Sequence, residues 1–522
     1  MPDVMPLGRS RSRWRSGERT MAKHLIGIIA TLLAATPLAA QTPAPAPAAT
    51  SSVEALSPRI AAFFDEWMAS RHAPGLVYGI VKDGRLILVR GAGIQDIERR
   101  RPVTPDTRFR IASMSKAFTA LAILRLRDEG KVALDAPAET YVPELKAWRY
   151  PTSDAPRIRV RDLLHHTAGL VEDNPWGDRQ QPLSEADFSA MLAAGMPFAQ
   201  TPALGMEYSN VGYALLGRIV GTASGSRYQD YIGRTLLGPL GMASTGYDVL
   251  TGPQDIRALG YRWQDDAWVR EPDMADGTFG AMGGLQTTAN DFAKWVAFLL
   301  SAWPARDGAD AGPVKRATVR EIVQGVNFAR GVDRPAILGT PCRQANAYAM
   351  GWQSIDDCDL GRVLVHGGGY PGYGSTVMLL PDAGVGVFAF SNRTYAGPAL
   401  PAMQTMLAMR AAGLAPDRVT PVSPGLATAY QVARDVWASG GVERAPLAVN
   451  MLLDQDAVRR RAAIAAVKAK VGACPGTEPI RPISAMEGLF TWTCATGRVS
   501  GRVQRAPTPT VTIQALSFSA AP

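Results

Sequence analysis

Phe109-Arg-Ile-Ala-Ser113-Met-Ser-Lys116-Ala-Phe-Thr-Ala-Leu-Ala-Ile-Leu-Arg-Leu126 is the stretch whose reading decides the fold. Small and polar residues lead straight into a long apolar helical run. A serine at the mouth of a helix has its oxygen in the positive field of the first amides. A lysine three residues on lies on the same face, one turn up. A buried ammonium sheds its proton easily, because desolvation disfavours the charged form. The neutral amine could then take the serine proton and leave an alkoxide-like nucleophile. Ser113 and Lys116 are therefore a candidate nucleophile and base. Taken alone, S-x-x-K arises by chance about once in a chain of this length. A helix cap followed by a solvated lysine would explain it equally well.

Two constellations further along change the weight of that pair. The first is Glu207-Tyr208-Ser209-Asn210-Val-Gly-Tyr-Ala-Leu-Leu-Gly217. In an extended segment, residues two apart point the same way, so Tyr208 and Asn210 share a side and Ser209 turns away. A tyrosine near a lysine can hold a lowered pKa and shuttle a proton. The Asn210 amide could donate to a substrate carbonyl and accept from the lysine. A plain helix cap at Ser209 or Asn210 is the structural alternative. The second is His366-Gly-Gly-Gly-Tyr-Pro-Gly-Tyr-Gly374, which follows the β-rich Val363-Leu-Val365. Bare glycines at 367–369 let a substrate lie against a strand edge, where backbone amides can hold a developing oxyanion. A phosphate loop does not fit, since no Lys-Ser/Thr follows and the next element reads as a strand.

In the order Ser-x-x-Lys, Tyr-x-Asn, His-Gly-Gly, the chain resembles the penicillin-recognising serine hydrolases. These include class C β-lactamases, D-Ala-D-Ala carboxypeptidases, D-aminopeptidases and related esterases; S-x-x-K also marks class A β-lactamases and penicillin-binding proteins. Val160-Arg-Asp-Leu-Leu-His-His-Thr-Ala-Gly-Leu170 and Gly283-Gly-Leu-Gln-Thr-Thr288 carry the likeness further. It covers roughly residues 53–412. It implies Ser113 as the acylated nucleophile and Lys116 as its proton acceptor. Tyr208 would assist proton transfer and activate the deacylating water, and Asn210 would orient substrate. His366 takes the place of the third motif, Gly367 and Gly368 keep the strand edge bare, and the amides of Ser113 and Gly369 form the oxyanion hole. His165 and His166 read as structural. Class C enzymes carry Lys-Thr-Gly where this chain has His366-Gly367-Gly368, and Leu400 stands where that class has an arginine. Histidine is mostly neutral at pH 7, so the site resembles that of D-aminopeptidase or esterase relatives more than an efficient lactamase. Arg393, in Phe390-Ser-Asn-Arg-Thr-Tyr-Ala-Gly-Pro398, is a candidate partner for a substrate carboxylate.

The expected fold is α+β. Hairpin signals open the region (Leu76–Ile80 and Leu86–Arg90 around Lys82-Asp83-Gly84) and close it (Ser375–Leu380 and Val385–Ser391 around Pro381-Asp-Ala-Gly384). Helical, loop-rich sequence fills residues 157–300. That order suggests an antiparallel sheet built from both ends of the chain, flanked by helices with a helical subdomain. A helix with Leu56, Ile60, Phe63, Phe64 and Trp67 on one side is expected over 53–70. Pro416, Pro421 and Pro424 mark a linker over 413–424. Residues 425–522 read as a small α+β accessory domain, with a helix over Ala457–Val471 and strands near Leu489–Cys494 and Thr510–Leu516.

Of 522 residues, 47% are hydrophobic and 19% charged, so most of the chain can bury a core. The net charge is +9, of which residues 1–40 supply +4 from six basic and two acidic residues, leaving +5 dispersed. No clustered nucleic-acid footprint is present. Met21-Ala-Lys-His24, an apolar Leu25–Ala35 and small residues to Ala40 read as a secretory leader over 1–40, with Met21 a possible true start. A Pro/Ala linker follows over 41–52. The protein is expected to be exported, periplasmic or secreted, with no stable membrane span after leader cleavage. Four cysteines fit export; the preferred of three pairings joins Cys342 to Cys358 and Cys474 to Cys494. Without C-x-x-C, and with histidines distant in sequence, no metal site is read. No cofactor is expected. The expected activity is hydrolysis of an amide or ester in a small-molecule or peptide substrate: a D-amino-acid peptide, a β-lactam or a small ester. The alternative is a catalytically silent protein that binds penicillin or cell-wall fragments. Oligomeric state and the role of residues 425–522 are left open.

Overall fold

The computed structural model describes residues 52–521 apart from 326, 328, 329, 340 and 419. The leader read over 1–40, and the Pro/Ala linker except Ser52, lie outside the described residues. The main element is a nine-stranded antiparallel sheet. Its strands are β1 (Gly75–Lys82), β2 (Arg85–Asp96), β3 (Arg101–Pro102), β4 (Arg330–Asp333), β5 (Arg343–Tyr348), β6 (Gln353–Asp357), β7 (Gly361–Tyr370), β8 (Tyr373–Leu380) and β9 (Val385–Ser391). In space they run β3-β2-β1-β9-β8-β7-β6-β5-β4, so this sheet's first and last strands in chain order lie side by side within it. Both expected hairpins form. Asp83 and Gly84 have φ of 49° and 79°, the paired positive values of a type I′ turn, and Lys82 faces Arg85 across it. Leu380 faces Val385 across the second.

Five long helices flank the sheet: α1 (Val53–Ser70), α2 (Ser115–Asp128), α3 (Asn210–Ser224), α4 (Ala289–Leu300) and α5 (Ala399–Ala411); α1, α4 and α5 pack on it, and α3 packs on α2. Strand periodicity of two decides which core each residue joins. Val77 and Val81 of β1, with Val377 and Leu379 of β8, pack among the side chains of α2, α3 and α4. Leu76, Tyr78 and Ile80, with Met378 and Leu380, pack with α1 and α5 on the other face. There the Phe64 and Tyr78 rings stack with centroids 3.9 Å apart. Of the five residues expected on one side of α1, Ile60, Phe64 and Trp67 are buried, while Leu56 and Phe63 lie at its margin. Helix α2 is buried nearly all round, as a core helix is. Each of Leu121, Ile123 and Leu124 there contributes about 1.5–3 kcal/mol by leaving water. Thr288 caps α4, accepting the Asp291 amide.

A separate C-terminal sheet domain has the helices Pro424–Ser439 and Ala457–Val471. Its strands Arg481–Pro482, Glu487–Thr493, Arg498–Arg505 and Ile513–Ala521 form an antiparallel meander. Its core is its own, with Leu426, Trp437, Phe490, Trp492, Val499 and Val503 at the centre. The disulfides Cys342–Cys358 and Cys474–Cys494 link each cysteine to its local neighbour. Among the described residues no helix is long and apolar enough to cross a membrane.

Candidate active site

Ser113 sits in a 3₁₀ turn, Ala112–Met114, that leads directly into α2. The turn starts from Ala112, whose φ of +51° is a strained value for a residue with a side chain. That kink lifts Ser113 to the end of the helix, where the first amides have no carbonyl partner. Ser113 is 8% exposed and Lys116, one turn on, has no exposure at all. Lys116 Nζ donates to Ser113 Oγ (3.1 Å), Asn210 Oδ1 (2.7 Å) and the Met282 carbonyl (2.9 Å). Three N–H groups thus meet three acceptors. Two of those acceptors are carbonyl oxygens, which can only accept; Ser113 alone can also donate. A neutral Lys116 would keep its two N–H bonds to Asn210 and Met282 and turn its lone pair on Ser113. Burial pushes the Lys116 pKa down to about 7, against the opposing pull of Asp178, Asp173 and Glu172.

Asn210 is the first residue of α3, and Ser209 is its cap, with Oγ accepting the Gly212 amide. Asp173 anchors the same helix start: Oδ1 accepts the Asn210 amide (2.7 Å) and Oδ2 the Val211 amide (2.8 Å). Asn210 Nδ2 donates to Asn174 Oδ1, which fixes the amide so that its oxygen faces Lys116. Tyr208 is half-buried, and Lys116 Nζ lies over its ring, 4.8 Å from the centroid. The expected lowering of the Tyr208 pKa is not met. Burial drives it well above the ordinary tyrosine value, and a hydrogen bond with Ser113 opposes this only in part. The ammonium faces the ring's π-surface, while nearby Asp178, Asp173 and Glu172 disfavour a phenolate. Tyr208 is therefore a neutral phenol.

The glycine stretch lies in β7. Pairing with β6 ends at Gln353 and Val365, while pairing with β8 continues through Tyr370. Residues 366–370 therefore have one open edge. A Cβ on Gly368 would fall 2.3 Å from the Ile111 carbonyl and 2.2 Å from Ser375 Oγ. Only glycine lets the strand come this close to the Ser113 turn. Gly369 has Tyr395 against it, and a Cβ on Gly367 would make only an ordinary contact with the Ser375 carbonyl. His366 is buried, with no hydrogen bond to Ser113 or Lys116. Its Nδ1 lies 2.6 Å from the Gly367 carbonyl and its Nε2 3.0 Å from Tyr348 Oη. A carbonyl only accepts, so Nδ1 carries the proton and Nε2 accepts from Tyr348. Burial, then the charge of Lys116, pushes His366 down to about 4. It is neutral and supplies no fixed cation.

His166 accepts the Ser209 amide at Nδ1 (3.1 Å) and packs on the Tyr208, Tyr213 and Tyr348 rings. That is a structural place beside the site. Arg393 donates to the Thr394 carbonyl and lies near Arg71. Among the described residues it has no hydrogen bond to Ser113, Lys116, Tyr208 or Asn210. Its neighbour Tyr395 is the residue of that loop that reaches the cleft. Tyr395 Oη donates to Asp178 Oδ2 at 3.0 Å, and burial pushes the Asp178 pKa up to about 6. Asp173, Asp178, Tyr348 and Tyr395 escaped sequence reasoning. Tyr395 lies in the quoted Phe390–Pro398 stretch, where Arg393 drew the attention instead; Asp173, Asp178 and Tyr348 have no spacing to mark them. The Gly283–Thr288 stretch gave a usable signal, for Ser115 Oγ accepts the Leu285 amide just beside Met282.

A family model described as Beta-lactamase matches residues 60–408. The chain is 28% identical over 326 residues to "Protein flp" of Staphylococcus aureus (strain N315), covering 62% of this chain and 60% of that protein. It therefore spans about 60% of the length of that curated relative. It is also 32% identical over 204 residues to "Esterase EstB" of Burkholderia gladioli, 37% of this chain and 52% of that one. Among solved structures, an octameric penicillin-binding protein homologue from Pyrococcus abyssi superposes with a TM-score of 0.56 at 20% identity, covering 88% of this chain and 99% of that one. D-alanine carboxypeptidase AmpC from Burkholderia cenocepacia gives 0.54 at 20% identity, over 70% of this chain and all of that one. At these identities the two structures speak for the fold.

Proposed function

The chain belongs to the Beta-lactamase family, and on that premise we propose that it is an exported serine hydrolase that forms an acyl-enzyme on Ser113. The observation that carries this is the Lys116 ammonium, wholly buried and shared among Ser113 Oγ, Asn210 Oδ1 and the Met282 carbonyl. Neutral Lys116 takes the Ser113 proton as Oγ attacks a substrate carbonyl. The amides of Ser113 and Gly369 hold the resulting oxyanion. Lys116 then returns the proton through the Tyr208 phenol to the leaving amine or alcohol, and the carbonyl re-forms as an ester of Ser113. A water attacks that ester, giving its proton to Tyr208 and Lys116, and Ser113 leaves with a proton. Asn210 orients the substrate and the base together, and Gly367 and Gly368 keep the strand edge open for the substrate.

The substrates are amides or esters of small molecules or peptides: D-amino-acid peptides, β-lactams or small esters. Likeness to an esterase supports the ester among them. A neutral, internally bonded His366 supports peptide or ester carbonyls over efficient lactam hydrolysis. Two disulfides support export. We read 53–412 as the hydrolase domain, 413–424 as a linker and 425–522 as an accessory domain; the separate C-terminal core supports that division. A fluorophosphonate or fluorescent penicillin is expected to label the wild type and not Ser113→Ala. Equal labelling of both would overturn the reading.

A further inference from the structure

Asp178 is an acid whose charge the proposed chemistry leaves unbalanced. It lies in the short 3₁₀ turn Gly177–Gln180 and is 2% exposed. Oδ2 accepts from Tyr395; Oδ1 has no hydrogen-bond partner among the described residues. Its surroundings place it at the cleft. A Cβ on the preceding Gly177 would lie 2.9 Å from Asn210 Cβ. Tyr395, its partner on the other side, packs within 2.9 Å of a Cβ built on Gly369. Asp178 is thus held between the Lys116–Asn210 side of the site and the open edge of β7, the two walls between which a carbonyl must lie.

The cation acting on Asp178 is Lys116, and the other charges acting on it are the acids Asp173 and Glu172. Arg110, the nearby guanidinium, stacks on Tyr370 and acts on Asp276 instead. Arg179, next in sequence, is exposed. Lys116 must be neutral to take the Ser113 proton. In that state Asp178 is a desolvated carboxylate with a free oxygen and no counter-charge, which is costly. A cation carried in by the substrate removes that cost. A neutral substrate leaves it in place.

We propose that Asp178, held by Tyr395, is the recognition site for a substrate ammonium group close to the scissile carbonyl. The preferred substrate is then an amide or ester of an amino acid with a free amine, and Asp178 acts by contacting that amine. The inference rests on the serine-hydrolase reading above. An uncompensated carboxylate discriminates strongly, since one hydrogen bond to a charged group corresponds to roughly 10- to 100-fold in kcat/KM.

The test compares alanine p-nitroanilide and p-nitrophenyl ester, in both enantiomers, with their N-acetyl and des-amino counterparts. The wild type is expected to favour the free amine in kcat/KM by at least about tenfold. Asp178→Asn is expected to reduce that ratio to about one while still cleaving the des-amino ester. Tyr395→Phe, which frees the carboxylate without removing it, is expected to keep the preference and raise KM for the amine substrates. Equal turnover of amine and des-amino substrates by the wild type, or a preference that survives Asp178→Asn, overturns the ammonium site and leaves the hydrolase standing. A wild type that cleaves none of the esters and anilides, and is not labelled at Ser113, overturns the hydrolase reading itself. Because the readout is a ratio, an effect of Asp178 on Lys116 common to all substrates cancels.

Discussion

Ser375 Oγ donates to the Ile111 carbonyl at 2.8 Å, bolting the β7–β8 pair to the turn that carries Ser113. The two residues are far apart in sequence and come from different layers. Their bond sets the gap between the Ser113 turn and the strand, and Gly368 fills that gap with nothing but a hydrogen.

Gly368→Ala tests the gap. The added methyl would meet the Ile111 carbonyl and Ser375 Oγ at contact distances no real Cβ tolerates, so strand or turn must shift. Overpacking of this kind costs about 1–3 kcal/mol. A displacement near 1 Å costs on the order of 100-fold in rate. Urea unfolding and kcat/KM on an ester substrate check both. Gly367→Ala, whose methyl would make only an ordinary contact with the Ser375 carbonyl, is expected to leave stability unchanged, so that any loss of turnover there reports on the substrate edge alone.

Lys116→Met separates catalysis from stability. Acylation is expected to fall by about 10²- to 10⁴-fold, read by stopped-flow labelling of Ser113. Stability behaves differently. The folded-state pKa is about 7 against an ordinary 10.5. Between those values the unfolded chain binds a proton that the folded one lacks, so stability rises with pH. Calorimetry at pH 7 and pH 10 is expected to show that gain in the wild type beyond the gain in the methionine variant. The same slope in both would remove Lys116 as its source.

The pH–rate profile carries a related expectation. With neutral Lys116 as base, kcat/KM for an uncharged ester rises as pH passes through about 7. Asp178 favours the ammonium form, so Asp178→Asn should make the proton easier to lose and move the acid limb to lower pH. Lys116 and Asp178 titrate as a pair, so the shift is read from the whole profile. A limb that moves upward would contradict the assignment.

Tyr430→Phe probes the C-terminal domain. Tyr430 Oη accepts from Trp492 Nε1 at 2.7 Å and donates to the Glu478 carbonyl at 2.5 Å. Removing it leaves a buried indole N–H unpaired, at a cost of about 1–3 kcal/mol. Tryptophan fluorescence on denaturation should show that loss, with ester turnover within twofold of wild type. A matching loss of turnover would tie the two domains functionally.

What was legible in the sequence is what is local. Ser113 and Lys116 meet because three residues of helix bring them onto one face. The Asp83-Gly84 turn specifies its hairpin through two positive φ values. Tyr208 and Asn210 both reach Lys116, although Asn210 does so from the first turn of a helix, with Ser209 as its cap. Less visible were contacts made by tertiary approach. Asp178 and Tyr395 are joined by a hydrogen bond between loops far apart in sequence, which no local period marks. In Phe390–Pro398 the charge of Arg393 drew attention, yet the phenol two residues later faces the site. The protonation of Tyr208 and His366 was hidden for a related reason: burial sets both, and burial of an isolated polar residue leaves no mark in the sequence around it.

The placement of β1 beside β9 has a consequence in time. A chain made or threaded through a membrane from its N-terminus delivers Ser113 and Lys116 early and β7 to β9 late. Until Ser391 is out, β1 lacks its partner on one side and Gly368 is not beside the Ser113 turn. On the serine-hydrolase reading the site is complete only when the last central strand docks, because the glycine edge of β7 arrives long after Ser113 and Lys116.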